Sequence, residues 1–432
     1  MRYLIQTTLI LLQNQYNTIR FAKAIPDWLY ILDERRFIMI DKILLIGNGF
    51  DLYHKLPTRY KDFLFFCDNW NTFVSEYRKK EFISLDKSSN DKTYIDIRLA
   101  NNGELFSESL LDFAHYDIYD MKHIGYLYNH ITNNGWIEYF RKITITGEGW
   151  IDFESEIQKA LEIVEDYYYS FLPASIGKTP IISMTDSMKY VINTFSSYTE
   201  KNYIDLSKNL FNSRDNDPIK IKQNKKMLIN AMYTELVIFS TCLNYYMSDF
   251  VTAIKCKYFS RQIKDLGNNL FLVSFNYTYT FANVYGKGEE FFHHPVHGES
   301  KENNIVLGIS DDCFNNTNEY LYFQKFFQRI QKKTGNFYKE LVKPLTHKSL
   351  NNSPLDLFIM GHSLDKVDKG ILQDFFYNTE RIGTIKIFYY NQKAYESIVI
   401  NLIDMFGKDF VIDQTGKDRI VFEELKEKEP LV

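Results

Sequence analysis

The sequence contains few cysteines, and none stands at the spacing of a metal site or of a small disulfide-bonded domain. The four are scattered, as Cys67, Cys242, Cys256 and Cys313, without a C-x-x-C pair. Isolated cysteines are typical of proteins kept in a reducing compartment. We therefore expect buried thiols in a cytoplasmic protein rather than a disulfide framework.

Long hydrophobic runs are also missing. No segment has the roughly 20 consecutive apolar residues that span a bilayer. The apolar stretch Tyr3–Leu12 is short, is interrupted by Gln6 and lacks a small-residue cleavage site after it. We expect no membrane segment and no signal peptide. Met39 lies three residues before the first strong strand pattern, so residues 1–38 are treated as an N-terminal extension of doubtful relevance.

The chain carries no large excess of charge of either sign. Its formal net charge is −4, whereas a protein built mainly to hold nucleic acid is expected to be strongly basic. Nucleic acid is therefore not an expected partner. Aromatic residues, by contrast, are abundant, with 32 Tyr and 35 Phe, which predicts extensive ring packing in a helix-rich body.

Alternating strand and helix patterns predict an α/β fold with a mostly parallel, Rossmann-like sheet. Strand-like segments are Lys42–Ile46, Asn269–Phe275, Phe291–Val296, Ile305–Ile309, Leu355–Met360 and Thr384–Tyr390. Helical periodicity is found at Lys61–Tyr77, Phe153–Phe171, Asp186–Tyr198, Lys225–Tyr258, Tyr320–Lys332 and Lys393–Met405. We expect a nucleotide-binding domain of residues 39–66 and 265–425. A large helical insertion, residues 67–264, follows the first strand, and residues 426–432 form a polar tail.

A glycine turn follows the first predicted strand. Gly47-Asn48-Gly49-Phe50-Asp51 comes directly after Lys42–Ile46 and precedes a helical pattern. A strand, a glycine turn and a helix start together make a place where backbone N–H groups can face a phosphate. The third glycine of G-x-G-x-x-G is absent, and so is a second strand ending in an acid about 20 residues later. The turn therefore disfavours a hydride-transfer enzyme. A plain turn without a ligand stays an alternative.

Three further polar clusters each follow a predicted strand. They are Ser274–Thr278, His294–Glu299 and Gly361–Asp368. Ligands of open parallel sheets bind at the carboxyl ends of the strands. If the sheet is parallel, these clusters and the glycine turn converge on one edge.

These four motifs resemble the bacteriophage abortive infection AbiH family. That family has Gly-Asn-Gly-Phe-Asp, Phe-Asn-Tyr-Thr, His-Gly and Gly-His-Ser-Leu in this order. The chain shows them at Gly47–Asp51, Phe275–Thr278, His297–Gly298 and Gly361–Leu364. The resemblance covers roughly residues 39 to 425 and implies a role in antiphage defence.

The order of motifs is also similar, more distantly, to sirtuin-like NAD-hydrolysing defence domains. By position, Asn276 and His297 match a catalytic asparagine and histidine, and Gly361 and Ser363 match a Gly-x-Ser that lines the ribose and phosphates. Thr278 stands where that wider group often has Asp. The resemblance implies cleavage of the N-glycosidic bond of NAD or a related nucleotide, bound as substrate and not as a prosthetic group.

The residue types suit that chemistry. Nicotinamide leaves as a neutral group, so the reaction needs a positioned nucleophile and a base more than it needs an acid. Asn276 can position water or a ribose hydroxyl, and His297 can act as a base with a pKa near neutrality. The backbone of Gly47, Asn48 and Gly49 would hold the diphosphate without a metal, and Asp51 would bind a ribose hydroxyl or cap the following helix.

Other interpretations remain beside this one. Asn276 can cap a strand end, and His297 can be an interior histidine. The trio His293, His294 and His297 suggests zinc, but no Cys or acid at ligand spacing accompanies it, so we expect no metal. Gly361–Asp365 lacks the second glycine of a nucleophile elbow. Asp152, Glu154 and Glu156 either bind Mg²⁺ in a nuclease or, as we expect, form an acidic first helical turn.

The sequence thus favours a cytoplasmic antiphage enzyme resembling an NAD(P) glycohydrolase. A module that senses a nucleotide without turnover and a metal-dependent effector acting on nucleic acid are the alternatives. We expect a nucleotide ligand and no membrane. A phage-derived trigger, a defence partner protein and a homo-oligomer are left open.

Overall fold

The computed structural model describes residues 30–33, 36–70, 121–146, 152–169, 185–199, 218–267, 269–286, 292–314, 318–343 and 354–431. The strands are β1 Tyr30–Asp33, β2 Arg36–Met39, β3 Lys42–Ile46, β4 Tyr258–Phe259, β5 Leu270–Ser274, β6 Phe292–Pro295, β7 Leu355–Met360, β8 Ile382–Tyr389, β9 Ile420–Glu424 and β10 Glu429–Pro430. The helices are α1 Asn48–Tyr53, α2 at residues 60–70, α3 Met121–His130, α4 Gly135–Thr146, α5 Phe153–Tyr169, α6 Asp186–Ser196, α7 Pro218–Tyr245, α8 Arg261–Lys264, α9 Thr280–Tyr285, α10 Lys325–Gln331, α11 Lys369–Phe376, α12 Gln392–Phe406 and α13 Lys408–Gly416.

Six strands form one sheet in the order β6-β5-β3-β7-β8-β9, and every neighbouring pair is parallel. The chain lays down β3, β5 and β6 in one direction, returns to the other side of β3 and adds β7, β8 and β9. This is the strand order of a doubly wound Rossmann sheet, whose ligands bind where the order reverses. The predicted fold class is confirmed, and the reversal lies between β3 and β7.

The first sheet strand, β3, shows why the sheet is buried on both sides. Ile43 and Leu45 belong to one core, with α11 and α12, while Leu44 and Ile46 belong to the opposite core, with α1 and α9. Strands covered on both faces read as unbroken apolar runs instead of alternating patterns. This is why the apolar run of β3 predicts a strand so clearly.

One predicted strand is wrong. Residues 305–309 belong to no strand within the described residues, and Ile309 makes only a single bridge with Gln324. The side chain of Gln328 replaces a neighbouring strand, since its Oε1 accepts from the N–H of Leu307 at 3.1 Å and its Nε2 donates to the Leu307 carbonyl at 2.8 Å. The remaining predicted strands agree with the structure to within two residues at each end, whereas β9 of the main sheet and the short strands β1, β2, β4 and β10 are not predicted.

The helices between β3 and β5 pack around aromatic rings, as the composition predicts. Phe153 stacks on Phe140 at 4.2 Å between ring centroids and meets Phe239 edge-on at 5.0 Å. The same core takes in residues of α2 and of 305–323, so the helical layer packs directly on the sheet's loops. No helix in the described ranges is long and apolar enough to cross a membrane.

Some helix bounds differ from prediction. The long helix α7 begins at Pro218, a residue suited to the first helical position, and continues after Tyr245 as a π-helical turn to Val251. It cannot reach Tyr258, which pairs in β4 with the C-terminal β10. The predicted helix Tyr320–Lys332 divides into a 3-10 turn, Asn318–Phe323, and α10. The second half of Lys61–Tyr77 lies outside the described residues.

The four cysteines are free thiols. Cys67 and Cys242 are fully buried, and Cys256 and Cys313 are half-buried. The sequence-based expectation of thiols instead of disulfides is confirmed. The domain boundaries proposed from sequence stay predictions, although the segment expected to be a polar tail contributes β10 to a two-stranded sheet.

Backbone-to-backbone packing joins the loops after β3 and β7. The N–H of Gly49 donates to the carbonyl of Gly361 at 2.7 Å. Gly361 has φ +72°, and a Cβ on it would overlap the backbone nitrogen of Phe50. A Cβ on Gly49 would stand 2.8 Å from the Gly361 Cα. Gly49 and Gly361 therefore allow an approach that no larger residue permits.

We expect Gly361→Ala to lower the free energy of unfolding by at least about 2 kcal/mol more than Gly267→Ala does. Gly267 shares the left-handed backbone, with φ +74°, but has open space around it. The difference in unfolding free energy between the two variants, measured by urea unfolding, gives the cost of the overlap of the added Cβ with Phe50. Gly370→Ala is the matched control without an overlap, because Gly370 lies in α11 with nothing nearby. This variant should raise the free energy of unfolding by up to about 1 kcal/mol. Equal costs at positions 361 and 267 would contradict this account.

Candidate functional site

Four loops meet at the carboxyl edge of the sheet, as the motif order predicts. Each loop begins by extending the hydrogen bonding of its strand to the neighbour: Phe275 N–H donates to Ile46 at 2.9 Å and Val296 N–H to Ser274 at 2.8 Å. On the other side, Gly47 N–H donates to Met360 at 3.2 Å. The candidate site is therefore built by the loops after β3, β5, β6 and β7.

Two histidines face one carboxylate in this site. His297 Nε2 lies 3.0 Å from Asp368 Oδ1, and His362 Nε2 lies 3.5 Å from Asp368 Oδ2. The N–H of Leu364 donates to Nδ1 of His362 at 2.9 Å, so we assign the proton of that ring to Nε2, facing Asp368. The ring of Phe275 meets both imidazoles edge-on, at 5.1 and 4.4 Å between centroids. The loops after β5, β6 and β7 are thereby fixed against one another.

A buried lysine completes this cluster. The Nζ of Lys325, at the start of α10, lies 3.0 Å from Asp368 Oδ1 and 2.9 Å from Glu154 Oε2. Lys325 is only 1% exposed. Glu154 belongs to α5, in the predicted helical insertion, and Asp152 caps that helix by accepting from the Glu154 N–H at 3.2 Å. The insertion thus contributes a carboxyl group to the site, and burial raises the pKa of that group to about 8, although Lys325 opposes the rise.

Burial and charge set the protonation states. Burial lowers the pKa of His297 to about 4, Lys325 adds to the lowering, and Asp368 opposes it only in part. Burial opposes ionisation of Asp368, but Lys325 and His297 overcome it and hold the pKa of Asp368 well below its usual range. His297 is therefore neutral at physiological pH. The expected pKa near neutrality is wrong, because the ring is desolvated beside a cation.

A second polar group surrounds Asp51, on α1. Its Oδ2 accepts from the Thr278 hydroxyl at 2.7 Å, and Thr278 is in turn 2.8 Å from the Thr280 hydroxyl. Burial raises the pKa of Asp51 to about 6, although hydrogen bonding from Thr280, Thr278 and Asn276 lowers it. Asn276 is 4% exposed. Asp51 and Asn276, two predicted site residues, are therefore neighbours inside the fold.

Other predicted ligand-binding residues have different surroundings. The N–H groups of Gly47 and Gly49 are already donated to Met360 and Gly361 carbonyls, and Asn48 is exposed and accepts from the Thr58 hydroxyl at 2.5 Å. Ser363 is exposed, with its carbonyl bonded to Asn401 at 2.9 Å. Close packing of the two loops explains why glycine stands at these positions, and a role of the glycines in binding a nucleotide stays a prediction.

The histidine trio does not gather around one point. His297 lies beyond the end of β6, and His293 instead pairs with Glu299 at 2.9 Å. Burial lowers the pKa of His294 to about 3. In the part of the chain that the structure describes, no group of three or more His, Cys, Asp or Glu side chains is arranged to hold a metal ion.

Sequence reasoning missed Lys325 and gave no role to Asp368. Asp368 lies in a polar cluster that was singled out, so its position after β7 was a usable signal. Lys325 carried no signal, since it lies in an amphipathic helical pattern where a lysine is ordinary. Glu154 lies in the acidic first turn of α5, as expected, and its side chain is also bound to Lys325.

The family model for bacteriophage abortive infection AbiH matches residues 43–390. The chain belongs to the AbiH family. The match includes all four site loops, together with Glu154 and Lys325, and a role in bacteriophage abortive infection follows from this membership. No curated protein and no solved structure matched the chain.

We expect Lys325→Met to lower the free energy of unfolding by about 3–5 kcal/mol at pH 7, because it leaves Asp368 and Glu154 buried without a cation. The loss should shrink as the pH falls, because Asp368, whose pKa is no longer held down by Lys325, can then be protonated. Urea unfolding between pH 7 and pH 5 measures both effects. Adding Glu154→Gln to Lys325→Met should restore part of the stability.

The matched control is Lys366→Met. Lys366 pairs with Asp404 at 3.2 Å, with side chains 61% and 51% exposed, so its removal should change stability by no more than about 0.5 kcal/mol. A cost below about 1 kcal/mol for Lys325→Met would contradict the buried ion cluster.

The protein should lose stability as the pH falls from about 6.5 to 4, in part through His297. The unfolded histidine binds a proton below about pH 6.5, whereas the folded ring does so only near pH 4. The unfolded state therefore holds more protons in this window, and acid favours it, by about 2–3 kcal/mol for one such group. In His297→Gln, the slope of the unfolding free energy against pH should be smaller, because one fewer proton is taken up on unfolding. His54→Gln, whose ring also has its pKa lowered to about 4 by burial, should do the same. An unchanged slope in the His297 variant alone would refute the assignment.

Proposed function

We propose that this AbiH family member acts in abortive infection by cleaving the N-glycosidic bond of NAD or a related nucleotide. One observation carries the proposal: a buried asparagine, Asn276, and a neutral buried histidine, His297, lie on adjacent loops at the carboxyl edge of a Rossmann-ordered sheet. The reversal of strand order beside these loops is where such sheets bind nucleotides.

The chemistry assigned to each residue follows from its contacts. The bond between nicotinamide and C1′ of ribose breaks, and its electron pair leaves with neutral nicotinamide. A water oxygen, positioned by the Asn276 amide, bonds to C1′. Nε2 of His297 faces Asp368, so Nδ1 is the nitrogen that takes the water's proton and later passes it to solvent. Asp368 stabilises the imidazolium that forms.

Burial of the site suggests that the observed arrangement is a resting one. Asn276 and His297 are 4% and 5% exposed, and the amides of Gly47 and Gly49 are bonded to the loop after β7. A dinucleotide would have to displace part of this packing. We therefore propose low basal turnover, which suits an enzyme that consumes a cofactor its own cell needs.

The same burial favours a second candidate, a module that binds a nucleotide and signals without turnover. Loop contacts to the helical layer give such a signal a route: Asn244 of α7 donates to the Ser300 carbonyl at 3.0 Å, directly after the His297 loop. A metal-dependent effector acting on nucleic acid has less support, because Glu154 is bound by Lys325.

The test is release of nicotinamide from NAD, followed by chromatography, with purified protein alone and with lysate from phage-infected cells. We expect release by the wild type, and a loss of at least about 100-fold in both Asn276→Ala and His297→Ala. His130→Ala, on α3 in the helical layer, is the control and should keep wild-type turnover.

Three other outcomes would redirect the proposal. Nucleotide binding without release, with infected lysate present, would favour the sensing module. Nicotinamide release that persists in both variants would show that Asn276 and His297 are not the catalytic residues. Metal-dependent cleavage of RNA or DNA that is lost in Glu154→Ala would favour the third class of activity.

A further inference from the structure

Three polar atoms at the end of β5 are buried without a hydrogen bond of ordinary geometry. They are Asp51 Oδ1 and both amide atoms of Asn276, Oδ1 and Nδ2, as counted within the described ranges. Asp51 is 1% exposed and Asn276 is 4% exposed. A buried polar group left without a partner destabilises the fold, because its lost hydrogen bonds to water are not replaced. Three such atoms close together therefore indicate a site at which a ligand supplies the missing hydrogen bonds.

The surroundings hold these atoms in position. Thr278 and Thr280 anchor the other oxygen of Asp51, and the N–H of Asn276 donates to the Ser274 hydroxyl at 3.2 Å. Asn276 is also a hydrogen-bonding neighbour that lowers the pKa of Asp51, but no hydrogen bond of ordinary distance and angle joins the two side chains. A small cleft lies next to Ser274 and Thr278, the hydrogen-bond partners of Asn276 and Asp51, and Tyr279 and His293 also line it. The unpaired atoms are thus fixed by bonds that leave their own hydrogen-bonding capacity unused.

The chemistry of the three atoms selects the ligand. A phosphate is disfavoured, because Asp51 would repel it. A metal is disfavoured as well, because among the described residues no three His, Cys, Asp or Glu side chains gather to hold one, and Asn276 Nδ2 would stay unpaired. A vicinal diol matches all three atoms: one hydroxyl donates to Asp51 Oδ1, while the second donates to Asn276 Oδ1 and accepts from Nδ2. The second lone pair of Asn276 Oδ1 is left to accept from the attacking water.

We propose that Asp51 and Asn276 bind the 2′,3′-diol of the ribose whose bond is cleaved, and that Asp51 determines specificity for it. The proposal rests on the proposed function, since it assigns the diol to that substrate. Asp51 then selects ribose against deoxyribose and against a sugar phosphorylated on either hydroxyl. Because Asp51 arises from the turn after β3 and Asn276 from the loop after β5, the diol would bridge two strands of the sheet.

Calorimetric titration with ADP-ribose and with ADP tests this, because the two differ only by the second ribose, which carries the diol. We expect the wild type to bind ADP-ribose more tightly. Asp51→Asn keeps the side chain's shape and should weaken ADP-ribose binding about tenfold while leaving ADP binding unchanged. The control is Asp62→Asn, a second buried aspartate that caps α2 through the Arg59 N–H and should alter neither affinity.

A measurement on the wild type alone guards against misfolding of the variant. NAD lacking the 2′-hydroxyl on its nicotinamide ribose should bind at least about tenfold more weakly than NAD. Equal affinity for the two would overturn the proposal, as would equal weakening of ADP and ADP-ribose by Asp51→Asn.

The failure of this inference can be told apart from failure of the proposed function. ADP-ribose selectivity that is lost in Asp51→Asn, without nicotinamide release by any form, supports the diol site and rejects the enzyme. Nicotinamide release together with unaltered selectivity in Asp51→Asn supports the enzyme and rejects the diol site.

Discussion

The candidate site depends on one buried ammonium group. Lys325 has almost no contact with solvent, so its charge must be met by carboxylates placed on both sides of it. One of these, Asp368, comes from the loop after β7, and the other, Glu154, comes from the helical layer. If that layer moved away from the sheet, a charge would be left unpaired in a low-dielectric interior. The site and the helices are consequently stable only together.

A second constraint acts through backbone alone. A truncated dinucleotide fingerprint suggests a phosphate site, yet Gly49 and Gly361 are needed so that two loops can touch. The same residue type serves both purposes, since close approach of a backbone and close approach of a ligand both require a missing Cβ. For this reason glycines after a strand mark the position of a site more securely than they mark its ligand.

Features that depend on residues close together in the sequence were predicted well, and features that depend on distant residues were not. Leu355–Met360 was predicted to the residue because its apolar run and the following glycine are local features. Residues 305–309 share that composition, but a glutamine side chain satisfies their backbone, which no local pattern reveals. The four loops were placed on one edge by topology. Lys325 was not foreseen because its partners lie on distant segments, and the depressed pKa of His297 escaped notice for the same reason.

The pairing of β3 with β7 also bears on how the protein is made. Ile46 aligns with Met360, so a strand synthesised early must wait for a partner that follows roughly 300 residues later. Until then the loop carrying Asp368 does not exist, and neither His297 nor Lys325 has its carboxylate. A nascent chain that has not reached Asp368, or one terminated before it, therefore lacks the assembled rim. The order of translation itself makes the site one of the last parts of the sheet to form.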